Sequence, residues 1–284
     1  MRVLAACMAL VSVVALAAQN PPGPTTSDPR AQAALLALDR YLETWNSRDP
    51  KRWAGSLHFP HIRPGPGAFE LSTTGEQYAA GVNFAQTLAS GWHHSEWTSR
   101  RVLHVGVEKV HVAGAWQRYT AEGRELTGSV ITYIITNQGG RWGVLSRFAA
   151  GPTGLDGSAA EQNAAAARAA VDVYFKAWNG HDPRELAGAL HFPHVRIDGH
   201  GTVEVWMSPD EFLAGPEPGR QRTWFETRLD RAEVVQVSAN GVNIAATCSR
   251  RARAGSVLSS SDAMLLVVRR ADVWKIQAVS TMGS

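Results

Sequence analysis

Residues 41–63 of this chain read YLETWNSRDPKRWAGSLHFPHIR, and residues 174–196 read YFKAWNGHDPRELAGALHFPHVR. At a constant offset of 133, 13 of the 23 positions are identical. A match of that length reflects duplication, so the chain must fold as two copies of one unit. Farther along, Gly123 corresponds to Gly255 and Trp142 to Trp274 at an offset of 132, which places a net one-residue indel between the two sets of anchors. Each unit then spans about 120 residues, enough to bury a core of its own.

Between the copies, Gly151-Pro152-Thr153-Gly154 runs through Leu155-Asp156-Gly157-Ser158 into an Ala/Asn/Gln segment, which reads as a linker entering a helix. The expected division is a lead-in over 19–30, a first domain over 31–150, a linker over 151–162 and a second domain over 163–284. Residues 1–18 are set apart as a signal peptide: Arg2, an apolar run from Val3 to Leu16, and Ala15-Leu16-Ala17 as an A-x-A cleavage pattern. The run is too short for a comfortable membrane span. An exported product, periplasmic or extracellular, is the expectation. Cleavage would leave Cys248 without a second cysteine, and its strand-like surroundings read as those of a buried structural thiol.

The 28 basic and 25 acidic residues leave a formal charge of +3, and the basic residues are scattered. Zinc-finger spacing, an aromatic platform and a basic helix are all missing, so no nucleic-acid partner is expected. Nothing downstream of the leader approaches a membrane-spanning length, so no membrane partner is expected either. HExxH, GxSxG, GxGxxG and Walker patterns do not occur, and no cofactor is expected. His58 with His61, and His191 with His194, are spaced i,i+3 across a proline without an evident third ligand, so no metal site is expected.

Each unit begins with an amphipathic helix, carried by Leu35, Leu38, Leu42 and Trp45 in one copy and Val171, Tyr174, Phe175 and Trp178 in the other. Asp49-Pro50 and Asp182-Pro183 start second helices running towards Leu57 and Leu190. Third helices are predicted from Gly75 to Leu88 and near Ser208 to Leu213. The remainder reads as three or four antiparallel strands, with Trp142, Val144, Ser146 and Phe148 opposite Gly143, Leu145 and Arg147. Helices first and strands afterwards predict an α+β unit whose sheet is covered by helices on one face.

The most informative polar stripe follows the second HFPH. His194, Arg196 and Asp198 share one face of a strand, with Val195 and Ile197 on the other. The first copy keeps His61 and Arg63, but Pro64-Gly65-Pro66 breaks the strand where an aspartate would fall. Such a stripe either lines a cavity or forms an ordinary solvated face. Ligand anchors are therefore sought at His61, Arg63, His194 and Arg196, for a small apolar or anionic molecule.

The Arg40–Asp49 pattern R-Y-x-x-x-W-N-x-x-D, its counterpart YFKAWNGHDP, the following LHFPH[IV]R and the later KVHVAGAWQRYTAEG together resemble the nuclear transport factor 2-like, or SnoaL-like, superfamily. The resemblance covers essentially the whole mature chain. It implies two tandem cone-shaped domains, each a curved antiparallel sheet covered by N-terminal helices, with the two domains paired sheet to sheet. The superfamily includes ketosteroid isomerases, cyclases and dehydratases as well as non-catalytic binding modules, so fold alone leaves enzyme and receptor open. Carried over residue by residue from ketosteroid isomerase, the oxyanion-hole tyrosine falls on Tyr41 and Tyr174. The general base falls near Gly65 and on Asp198, and the protonated acid falls at Val130 and within one residue of Asp262. If either copy retains acid/base chemistry on a small carbonyl compound, the resemblance assigns it to the second, through Tyr174, Asp198 and Asp262. The rival reading is twin binding domains anchored by the two His/Arg pairs.

Overall fold

The computed structural model describes residues 27–67, 69–215 and 224–283; the proposed leader over 1–18 lies outside the described residues. Local chemistry sets the helix starts. The Asp28 carboxylate accepts from the Arg30 N–H and opens α1 (Pro29–Asn46). Asp49 likewise caps α2 (Pro50–Gly55), accepting from the Lys51 and Arg52 N–H groups. In the second copy, Asp156 caps α5 (Gly157–Gly180) and Asp182 caps α6 (Pro183–Gly188). At each start the side-chain acceptor satisfies an orphan N–H, and in α1, α2 and α6 a proline in the first turn removes another.

The second helices stop at Gly55 and Gly188, so Leu57 and Leu190 open strands: β1 (Leu57–Arg63) and β7 (Leu190–Ile197). Each HFPH therefore lies in a strand. The single helix predicted from Gly75 to Leu88 is two, α3 (Gly75–Gly81) and α4 (Ala85–Ala89), because Val82 is extended and the Asn83 side chain accepts from the Ala85 N–H. Among the described residues of the second copy the counterpart is α7 (Pro209–Ala214), capped by Ser208.

The first sheet continues with β2 (Glu70–Ser72), β3 (His94–Val105), β4 (Lys109–Tyr119), β5 (Glu125–Gln138) and β6 (Arg141–Pro152). The second continues with β8 (Val203–Trp206), β9 (Glu226–Val237), β10 (Gly241–Arg251), β11 (Val257–Arg270) and β12 (Val273–Thr281). Only residues 153–156 separate β6 from α5.

These sheets correct the cone-shaped, antiparallel picture. Each has six strands, ordered β2-β1-β6-β5-β4-β3 and β8-β7-β12-β11-β10-β9. The edge strands β2 and β3 lie at opposite ends of the first sheet and do not pair, as is also true of β8 and β9; both sheets are open. They are also mixed, because β1 runs parallel to β6 and β7 parallel to β12. In each half the parallel partners are joined not by a tight hairpin, which could pair them only antiparallel, but by a long path: β2, α3, α4 and β3–β5 lie between β1 and β6, and β8, α7 and β9–β11 between β7 and β12.

Both faces of each sheet are buried. One face carries the helices, over cores that include Leu38, Tyr41, Trp53, Val112 and Tyr133 in the first half, and Val171, Leu186, Ile244 and Leu265 in the second. Full burial of one such side chain contributes about 1.5–3 kcal/mol. The other faces meet each other. Ile62, Ile134, Leu145 and Phe148 form one apolar cluster with Val195, Ile197, Met264, Leu266 and Val268. The order through the molecule is helices, sheet, sheet, helices.

A polar seam ties the halves. Gln236 accepts from the Thr132 hydroxyl at 3.0 Å and from Asn243 at 2.8 Å, and its amide donates to the Gly114 and Ile131 carbonyls. Lys109 donates to the Asp198 and Thr281 carbonyls, and Arg101 pairs with Glu233 at 2.8 Å. Burial is the main reason the Lys109 proton affinity falls to about 7, with the Asp198 charge opposing it. Where β10 crosses β6, a Cβ on Gly241 would lie 2.2 Å from the Ala150 carbonyl oxygen, so this contact requires glycine.

Candidate functional site

Each half has a cavity between its helices and its sheet, and equivalent positions line both. The first is about 1030 Å³ and runs from buried Tyr41, Trp53, Tyr78 and Arg147 to an exposed mouth at Glu70, Leu71 and Gln86. The second is about 110 Å³, lined by Tyr174, Trp178, His194, Arg196, Trp206, Phe212 and Cys248 among others.

Arg147 dominates the first cavity. Strict alternation along β6 would place it on the face away from Trp142 and Val144. Instead, Ile134 is opposite Ser146 and Ile135 opposite Val144, which leaves Leu145 as an extra, bulged residue. The bulge reverses the register, so Leu145 and Phe148 both face the other sheet while Arg147 turns in beneath α1. The second copy repeats it: Leu266 faces Ala278, Val267 faces Ile276, and Gln277 is extra. The residue turned inward there is Val279.

Arg147 is 7% exposed. Its Nη1 donates to the Tyr41 hydroxyl, and its guanidinium lies 5.7 Å from the Tyr41 ring centre and 5.5 Å from that of Trp53. Its Nε and Nη2 have no hydrogen-bond partner among the described residues. Neither do Tyr78 Oη, Trp53 Nε1 and Arg118 Nε on the same cavity wall. Arg118 lies over Trp45 and Trp116 at 5.2 and 5.0 Å. Arg63 is paired with Glu70 at 2.5 Å. Three guanidinium groups thus share a cavity with one carboxylate, and that carboxylate is engaged.

The fields around these groups are consistent with that picture. Burial acts first on each group, disfavouring its charged form, and the positive charge of Arg147 adds to it at His61 and Arg63. His61 is held well below the ordinary imidazole value, first by burial and then by Arg147 and Arg63, so its ring is neutral. It hydrogen-bonds the Val144 carbonyl through Nδ1 at 3.1 Å and meets the Tyr78 ring edge-on. Burial pushes the Tyr78 hydroxyl up to about 12, which keeps it a neutral donor. Arg63 is shifted down, by burial and then by Arg147.

In the second half, Tyr174, His194 and Arg196 line the small cavity together. Asp198 and Asp262 do not join them. Asp198 lies just past the end of β7, where its carboxylate accepts from the His200 and Thr202 N–H groups at 2.9 and 2.8 Å. Burial opposes its charge, but those N–H groups, with help from Lys109, outweigh burial and hold the carboxyl below its ordinary value. Asp262 accepts from the Thr247 hydroxyl at 2.7 Å, while its neighbours Ser261 and Ala263 line the cavity. It points to the opposite face, where His104 of the first half feels its charge. One step along β11 thus separates Asp262 from the cavity-lining Ser261 and Ala263.

The second cavity is small because aromatic side chains fill it. Trp206 stacks on His194 with ring centres 5.8 Å apart, and Phe212 packs on Trp206 at 5.3 Å. The strand partner of His61 is Ser72, whereas that of His194 is Trp206. Arg196 pairs loosely with Glu204 at 3.7 Å, and burial pushes the Cys248 thiol up to about 12, as suits a structural residue. Of the residues sought from the sequence, Arg63 lines the first cavity and His61 lies behind it. Arg147 was missed, although an arginine in the apolar middle of β6, replaced by Val279 in the other copy, was a usable signal.

Both halves match one family model, described as NTF2-like protein (DUF6841), over residues 33–152 and 161–283. No curated protein matches the chain in sequence. Among solved structures, a putative calcium/calmodulin dependent protein kinase II association domain from Xanthomonas campestris is similar at 14% identity, covering 45% of this chain and 91% of that one, with a TM-score of 0.35. A protein with a cystatin-like fold from Caulobacter vibrioides is 19% identical over 43% of this chain and 89% of its own, at a TM-score of 0.34. A ketosteroid isomerase-like protein from Erwinia carotovora atroseptica is 20% identical over 42% and 93%, at 0.33.

Proposed function

This chain belongs to the NTF2-like protein (DUF6841) family in both halves, and from that premise we propose that it is an exported small-molecule-binding protein whose first half takes an anionic ligand. The observation that carries the reading is Arg147: a guanidinium 7% exposed, at the inner end of a cavity of about 1030 Å³, with two donor nitrogens that no described residue engages. Buried polar groups are ordinarily paired, and an unpaired buried donor costs about 1–3 kcal/mol, more when charged. A ligand acceptor at that point recovers the cost.

Binding rather than turnover suits the walls. Glu70 is the cavity's one carboxylate, and it is held by Arg63 near the mouth. The neutral, buried His61 hydrogen-bonds a backbone carbonyl. A proton abstraction needs a free base within hydrogen-bond reach of the substrate. The second half supports the first through the shared sheet-to-sheet core.

Trp45, Trp53 and Trp116 line the cavity and report its occupation. Titration with organic anions should change tryptophan fluorescence saturably, and Arg147→Met, checked for folding, should abolish that response. An unaltered response in the variant would defeat the proposal. Export rests on the sequence of residues 1–18 alone; the N-terminus of protein recovered outside the cytoplasm should be Ala18 or Gln19, and an intact Met1 on natively produced, folded cytoplasmic protein would refute it.

A further inference from the structure

We infer that the ligand of the first cavity is a flat, aromatic carboxylate, its carboxylate on the Nε/Nη2 edge of Arg147 and its ring system among Trp45, Trp53 and Trp116. The inference rests on the anion-binding reading above and specifies its chemistry.

The arrangement of the free nitrogens is the first argument. A guanidinium presents its donors in a planar fork, and Nε–H and Nη2–H point the same way, side by side. Nη1, on the other side, is the nitrogen already committed to Tyr41. The free pair therefore matches two coplanar oxygens of one carboxylate, which Arg recognises by two parallel hydrogen bonds. The remaining unengaged polar atoms on the wall are Tyr78 Oη, Trp53 Nε1 and Arg118 Nε. All of them can donate. A carboxylate, which only accepts, can use each of them.

Charge is the second argument. Glu70 neutralises Arg63, leaving Arg147 deep in the cavity and Arg118 on its wall between two indole rings. Bringing an anion to an almost fully buried guanidinium strips its water, and the cost rises steeply with charge. A singly charged carboxylate is favoured there over a doubly charged phosphate monoester. The third argument is the walls. Leu42, Trp45, Trp53, Trp116 and Ile131 are too much apolar surface for a small hydrophilic acid, and the volume exceeds what such an acid would occupy. Flat rings also stack well on indoles.

The test is calorimetric titration of the intact chain with four probes: 2-naphthoate, 2-naphthamide, 2-naphthyl phosphate and acetate. We expect 2-naphthoate to bind at least 10-fold more tightly than each of the other three. Arg147→Lys, which keeps the charge but loses the fork, should weaken 2-naphthoate at least 10-fold, and Arg147→Met at least 100-fold, with circular dichroism and thermal melting confirming that both variants fold. Preference for the phosphate, or for acetate, with dependence on Arg147 would overturn the aromatic-carboxylate assignment and leave the anion pocket standing. Equal binding of the amide, or wild-type affinity in Arg147→Lys, would likewise overturn the carboxylate fork. Binding of no anion, or anion binding indifferent to Arg147→Met, would overturn both.

Discussion

The two cavities descend from one sequence and keep the same frame, yet they have diverged into opposite solutions. Both have the N-terminal helix with its Tyr and Trp, the Arg of the HFPH strand, and a bulge that turns one residue of the last strand inward. In the first half that residue is Arg147 and the place beside His61 belongs to Ser72; the cavity is large and charged. In the second half it is Val279, and Trp206 covers His194; the cavity is small and aromatic. A duplicated frame thus separates the two demands on a small domain. One copy carries a costly buried charge, and the other packs its interior and helps support the shared interface.

Exchanging the inward-turned residues is the harshest trial of this contrast. Val279→Arg should destabilise the chain by about 3–5 kcal/mol, because it overpacks a filled site and buries a charge with no acceptor in place. Chemical denaturation checks it, and a loss below about 1 kcal/mol would show that the second half can host the first half's chemistry.

Exchanging the covering residues should act next most strongly. Trp206→Ser should cost about 2–3 kcal/mol, less than a fully buried tryptophan would, since Trp206 is only partly buried. Ser72→Trp should instead leave stability within about 1 kcal/mol and weaken anion binding at least 10-fold by narrowing the cavity. If Ser72→Trp bound the anion at full strength, the cover would not explain the difference in volume.

Acid should separate the halves. Burial, foremost, depresses His58 to about 4 and His194 to about 3, and holds His61 and His111 well below their ordinary value. His104 and His191 are shifted the same way, again first by burial. The unfolded chain takes up protons near the ordinary histidine value of about 6.5 while the folded chain does not. Stability is therefore full above that value and falls as pH drops towards 4 for His58 and towards 3 for His194. Four of these six histidines belong to the first half, so hydrogen exchange between pH 7 and 5 should show its protection declining more steeply. Equal decline would mean that the halves unfold as one unit.

The smallest effect is expected at Arg196. Its contact with Glu204 is long, at 3.7 Å, and partly exposed, so Arg196→Met should change stability by less than about 0.5 kcal/mol. A loss above 1 kcal/mol would reveal a role for it inside the second cavity.

Much of this was legible in the amino-acid order because it is local. The duplication, the Asp-Pro helix starts, the apolar faces of α1 and α5, and Arg63 beside His61 depend on spacings of a few residues. The family resemblance was legible in the same way, as was the order of helices before each sheet, whereas the cone-shaped, antiparallel sheet was not. Three decisive features were not local. The bulges at Leu145 and Gln277 depend on how β6 and β12 register against β5 and β11, and one added residue reverses every side chain beyond it. That slip hid Arg147, and the same sensitivity sent Asp262 to the face opposite the Tyr174 cavity. The open, mixed sheets depend on which strands become neighbours, a matter of long-range pairing. The chain order thus determined what each element is and where it begins; the packing of distant strands decided which side chains meet, and so which half has the larger, charged cavity.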